Sequence, residues 1–248
     1  MSRFNQTDEL DDPRRRWLVR ALTAGFLGGG LLEAQAQGFS IFGSRPAKLP
    51  PTQSIYGLSG DVTVNNEKAV LSTRIKPGDT VETGKNSSII FVVNTHSMIL
   101  ERESKLLIET PEVTATSAII SGLRMLSGKL LSVSRNSPMK VSTNTSTIGI
   151  RGTGFYVEAD PELTYFCTCY GATEAQSNTD PLSREAIAAA HHDRPIYIAK
   201  DGPEGKKIRN APFLNHTDQE LALIETLVGR RVPFVFGGTN YNAPRRSY

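Results

Sequence analysis

The chain is expected to be mainly β, an irregular solenoid-like or sandwich-like body closed by one C-terminal helix. Three observations predict this. From Gly60 onward, short apolar runs alternate with turn residues at regular intervals. Gly149, Gly152 and Gly154 interrupt an apolar run that continues as strand through Phe155-Tyr156-Val157. The one strong helical signal, at about 217–229, comes near the end.

Taken in order, Asp61-Val62-Thr63-Val64 is a strand closed by the turn signal Asn65-Asn66. Pro77-Gly78-Asp79 turns into Thr80-Val81-Glu82-Thr83-Gly84. Ser88-Ile89-Ile90-Phe91-Val92-Val93 is nearly continuous in apolar residues, the pattern of a strand buried on both faces. Met98-Ile99-Leu100, Lys105 to Glu109, Lys129 to Val133 and Met139 to Ser142 continue the series. No exact repeat is visible, so the run of strands does not demonstrate a regular solenoid code.

The C-terminal helix has explicit boundaries. Thr217-Asp218-Gln219-Glu220 is a capping box, in which the Thr217 hydroxyl accepts from the third helical amide and Glu220 reaches back. Leu221, Leu223, Ile224, Leu227 and Val228 form an apolar stripe that should lie against the β-body. Gly229 and Pro233 mark the stop. Residues 182–190 are alanine-rich, which favours helix by propensity. Their place between two strands favours a hairpin-like return, and strand is the reading adopted. The three glycines do not make a nucleotide loop, because that motif must run from a strand into a helix. They mark tight backbone geometry instead.

The N-terminus points to export. Arg14-Arg15-Arg16 precedes Trp17-Leu18, and the apolar segment from Ala21 to Leu32 is shorter than the ~20 residues of a membrane span. Ala34-Gln35-Ala36 supplies a small-x-small cleavage pattern. Residues 1–36 thus resemble a twin-arginine signal peptide, followed by a linker over 37–55. This implies an exported, periplasmic chain with no stable span after cleavage, or an inner-membrane anchored one if the signal is kept. The net charge of +3 is too small for a nucleic-acid footprint, and no basic run interleaves with aromatics. Arg230-Arg231 and Arg245-Arg246 read as solvated charge.

The candidate site is built from cysteine and histidine. The only two cysteines, Cys167 and Cys169, are two apart on an expected strand, so both thiols face one side. Same-face neighbours stand ~6.5–7 Å apart at Cα, at or past the limit of a relaxed disulfide. A metal ion tolerates that separation better. His191 and His192 follow, with Asp193 placed to orient an imidazole, and His216 stands at the N′ position where an apolar staple residue is usual. Cys167, Cys169, His191, His192 and His216 are therefore the candidate ligands for a transition metal: zinc, iron or copper. In a strand only one of the paired histidines could join the cysteines unless the backbone bulges. A redox dithiol and an inert buried pair remain alternatives. His96 reads as an ordinary surface or turn residue.

Ile150-Arg151-Gly152-Thr153-Gly154-Phe155, the Gly60-Asp61-Val62 opening and Lys76-Pro77-Gly78-Asp79-x-Val81-x-Thr83-Gly84 resemble the FecR domain, an all-β module of exported bacterial proteins. The Cys-x-Cys-Tyr-Gly, His-His-Asp and Asn-His-Thr-Asp elements are similar to those of FecR-like chains, but the resemblance brings no ligand set. It implies a FecR-like β domain over 56–175 and a C-terminal extension over 176–248 carrying strands and the helix. The function it implies is a non-enzymatic binding, sensing or scaffold module with an unidentified protein partner. The best-known FecR proteins are membrane-anchored signalling regulators, and that is the first alternative. A periplasmic thiol redox or metal enzyme is the second, although no Gly-x-Ser-x-Gly, His-Glu-x-x-His or P-loop motif recommends one.

Overall fold

The computed structural model describes residues 46–111, 120–135 and 138–234. The expected signal peptide, the first part of the linker and Arg245-Arg246 lie outside the described residues.

The strands are β1 (Ile55–Ser59), β2 (Val62–Val64), β3 (Glu67–Lys68), β4 (Thr80–Thr83), β5 (Ser88–Val93), β6 (His96–Leu100) and β7 (Lys105–Glu109). They continue as β8 (Gly122–Ser134), β9 (Met139–Ser142), β10 (Ser146–Ala159), β11 (Leu163–Ser177), β12 (Arg184–Ala189), β13 (Ile196–Ala199) and β14 (Ile208–Asn210), followed by helix α1 (Asp218–Leu227). The ambiguous segment at 182–190 is strand, as its position required.

These strands form one open sheet in the order β14-β13-β11-β10-β9-β8-β7-β4-β2-β3, with β1-β5-β6 joined to it through β8. Pairing is antiparallel except between β8 and β9, which run parallel. β12 and β13 sit end to end along one edge of β11, β12 against Gly171–Gln176 and β13 against Leu163–Phe166. The stretch of β11 between those two blocks holds both cysteines.

The long central strands are apolar on both faces because two cores exist. Phe91, Met98, Leu100, Leu130, Phe155, Val157 and Phe166 point into the main core. Their sequence neighbours Ile90, Ile99, Leu131, Tyr156, Tyr165 and Cys167 point the other way, into a second core closed by Leu221, Leu223, Ile224 and Leu227 of α1. The period of two assigns alternate side chains to alternate cores. That is why β5 carries no polar stripe.

Helix α1 begins at the expected capping box: the Thr217 hydroxyl accepts from Glu220 N at 3.2 Å, and Thr217 N donates to Glu220 Oε2 at 2.9 Å. It packs on β6 and β8. Among the described residues no helix is long and apolar enough to cross a membrane.

Two expectations about single residues are overturned here, both by this covering layer. His96 is not at the surface but 3% exposed at the start of β6, and burial, then the charge of Arg230, hold its imidazole down at about 4. Arg230 is not solvated: its Nε donates to the buried Glu225 Oε2 at 2.6 Å and its Nη1 to Thr95 O at 3.0 Å.

Candidate metal centre

The glycine-rich run shapes the cysteine strand. In the β10–β11 ladder Gly154 faces Tyr170 while Phe155 faces Thr168, leaving Cys169 as the extra residue of a bulge. The bulge keeps Cys169 and the following Tyr170 on the same side as Cys167, in the second core. A Cβ at Gly154 would stand 2.5 Å from Tyr170 Cε1, so only glycine admits that ring.

The two histidine segments arrive by different routes. Leaving β12, the chain crosses beside the cysteines, and His192 N donates to Cys169 O at 2.9 Å, filling the gap between β12 and β13. His192 has φ 55°, a left-handed conformation uncommon outside glycine and asparagine. This turn lets two consecutive histidines project to the same side. His216 is fixed by Tyr165, whose hydroxyl donates to Pro212 O and accepts from Leu214 N, both at 3.0 Å. Asn215 at φ 63° completes that turn and donates to Glu158.

Four of the five sequence-expected ligands converge. Cys167 Sγ lies 3.4 Å from His192 Nδ1, Cys169 Sγ lies 3.4 Å from His216 Nε2, and the two ring nitrogens are 3.2 Å apart. All four donor atoms fall within 4.8 Å of one another. For zinc at ~2.3 Å from sulfur and ~2.0–2.1 Å from nitrogen, tetrahedral ligand-to-ligand edges run from about 3.3 to 3.8 Å. The observed contacts are close to those edges. The donors are also sealed, with both cysteines at 0%, His216 at 1% and His192 at 5% exposure.

The outer partners set which nitrogen faces inward. His216 Nδ1 is 2.7 Å from Leu214 O, a carbonyl that only accepts, so Nδ1 carries the proton and Nε2 presents a lone pair to the centre. His192 Nε2 is 3.1 Å from Asp218 Oδ1, which likewise directs Nδ1 inward. Tyr156 stacks on His216 with centroids 4.5 Å apart, and Phe213 packs on both rings at 4.3 and 4.6 Å.

The fifth candidate, His191, does not reach the cysteines. Its Nε2 sits 2.9 and 3.0 Å from the two carboxylate oxygens of Asp218. Asp193 does not orient an imidazole either; its Oδ2 accepts from the backbone amides of Ala190 and His191 at 2.5 and 3.2 Å, locking the turn. The orienting carboxylate is Asp218. In the sequence Asp218 reads only as part of the helix cap, although its place two residues after His216 is the available signal.

Electrostatics favour deprotonation of one sulfur, that of Cys167. Burial pushes the Cys167 thiol up, but a hydrogen bond with Cys169 and the charge of His216, with help from His192, bring it well below the ordinary thiol range. Cys169 is driven well above that range by burial, then by its neighbour Cys167. Burial works against a charged His192, yet Asp218 and Cys167 raise it to about 8. Asp218, though lifted by burial, is held low by its bonds to His192 and His191. Cys167 Sγ, the His192 ring and the Asp218 carboxylate thus stand in a row, with the thiol drawn down and the imidazole up.

This defines an all-β domain whose last long strand donates a thiol pair to a buried Cys/His cluster. Residues 79–169 match the family model described as FecR protein, so the chain carries a FecR domain there. The match contains both cysteines and ends before either histidine segment. Two solved structures of a candidate anti-sigma factor from Parabacteroides distasonis are similar at 15% and 16% identity, with TM-scores of 0.41 and 0.42. Each likeness covers 53% of this chain and 58% of that one, so the chain spans less than two thirds of their length. No curated protein matches.

Proposed function

We propose that this is an exported, periplasmic FecR-domain module of the signalling-regulator type, non-enzymatic, in which a four-coordinate metal ion clamps the C-terminal extension onto the FecR sheet. Cys167 and Cys169 supply the sheet side of the clamp, His192 and His216 the other, and zinc suits this Cys₂His₂ set best. The observation that carries the reading is the 3.2 Å approach of His192 Nδ1 and His216 Nε2. Each ring has its outer nitrogen committed as a donor, so the inner nitrogens meet as two lone pairs unless a proton or a metal ion lies between them. A proton on His192 would serve in the metal-free chain, and metal binding would displace it.

A complete protein ligand set with no open position is the mark of a structural rather than a catalytic centre. Cys167, His192 and Asp218 do line up as an activated thiol would, but a thiol at 0% exposure has no route to a substrate. The export setting rests on the twin-arginine-like segment, and the partner implied by a signalling module is another protein.

The test is one purification. Untagged protein from a periplasmic fraction is expected to lack the first 36 residues by mass and to hold one metal ion per chain by elemental analysis. Cys167→Ser with Cys169→Ser should hold none. Equal metal in both proteins would remove the clamp, and recovery of the full-length chain from membranes would favour the anchored regulator.

A further inference from the structure

We propose that His191, Asp218 and the outward nitrogen of His192 form a second, solvent-facing subsite for a divalent transition-metal ion, coupled to the buried centre through the shared His192 ring. It rests on the reading above only in that shared ring. His191 Nε2, His192 Nε2 and the Asp218 carboxylate lie within 4.8 Å of one another. Their separations of 2.9 to 3.1 Å are hydrogen-bond lengths. An entering cation would release the His192 Nε2 proton to solvent, leaving that ring an imidazolate bridging the two ions, while His191 keeps its proton on Nδ1. The separations would widen to about 3.3 Å.

Two features favour a ligand over a mere carboxylate anchor. Consecutive residues ordinarily point apart, yet the left-handed turn at His192 brings both rings onto one carboxylate. The exposure is graded as well: the His191 side chain is 28% exposed, Asp218 7% and His192 1%, so the donors lead from water to the buried cluster. Phe234 stacks on His191 at 4.1 Å and holds its plane. A His₂Asp set without sulfur suits zinc, copper(II) or nickel, and three protein donors leave positions open to water or an external ligand. An ion here would be the exchangeable one, beside a sealed one.

Cobalt(II) titration separates the two sites, because only the buried centre gives thiolate-to-cobalt charge transfer. In untagged, metal-free protein the first equivalent should bring that absorption, and a second, weaker equivalent should bind without adding to it. His191→Gln keeps an N–H for Asp218 but removes the imidazole ligand. It should leave the first equivalent intact and weaken the second at least ~10-fold. Binding of a single equivalent by the parent, or an unchanged second equivalent in the variant, would overturn the subsite. Absence of charge transfer at every ratio would instead overturn the buried centre, and the subsite would still be judged by the stoichiometry of parent and variant.

Discussion

Removing the buried ion with a chelator should lower the melting temperature by about 8–16 °C. The figure follows from linkage: a ligand a thousandfold above its Kd adds about 4 kcal/mol, and each kcal/mol moves the midpoint of a chain this size by ~2–4 °C. The loss should be local. The main core, with Phe91, Phe155 and Phe166, lies on the sheet face opposite the cysteines and should persist. The second core depends on α1 and on the 190–217 segment, which the two histidines tether. Hydrogen exchange should therefore rise in α1 and the segment leading into it while β5, β8 and β10 stay protected. Equal melting points with and without the ion would show that the clamp contributes nothing.

Glu225→Ala should destabilise the chain by about 3–5 kcal/mol in urea unfolding, as removing one partner of a buried ion pair does. Glu225 is 0% exposed and takes Arg135 Nη2 at 3.0 Å, Arg230 Nε at 2.6 Å and the Tyr170 hydroxyl. Burial, then the Glu225 charge, raises the Tyr170 phenol well above its ordinary range, so it stays a neutral donor. Truncation leaves Arg230 largely buried beside a lowered His96, with no anion to balance it. Replacing Arg230 by Met in the same chain should recover part of the loss, since the stranded charge goes too. A cost under ~1 kcal/mol would place the network among exposed pairs of little consequence.

Much of this was legible from residue order. The helix was readable because Thr217, Glu220 and Gly229 specify their roles locally. The thiol pair was readable because an i, i+2 spacing fixes a face in any strand, and the bulge at Cys169 leaves that face unchanged. What could not be read depends on the covering layer and on positive φ. Nothing local announces that His192 takes a left-handed turn, so the division of labour between His191 and His192 was open. Asp193 was the nearer carboxylate in sequence, but that same turn spends it on backbone amides. His96 and Arg230 looked like surface residues because what buries them brings together positions far apart in the chain, as the Arg230 Nη1 to Thr95 O bond does.

The central claim, a Cys₂His₂ ion joining the FecR sheet to the C-terminal extension, is tested most directly by X-ray absorption at the metal edge of untagged protein. The account predicts a four-coordinate shell of two sulfurs at ~2.3 Å and two imidazole nitrogens at ~2.0–2.1 Å. A shell of nitrogen and oxygen alone would contradict it.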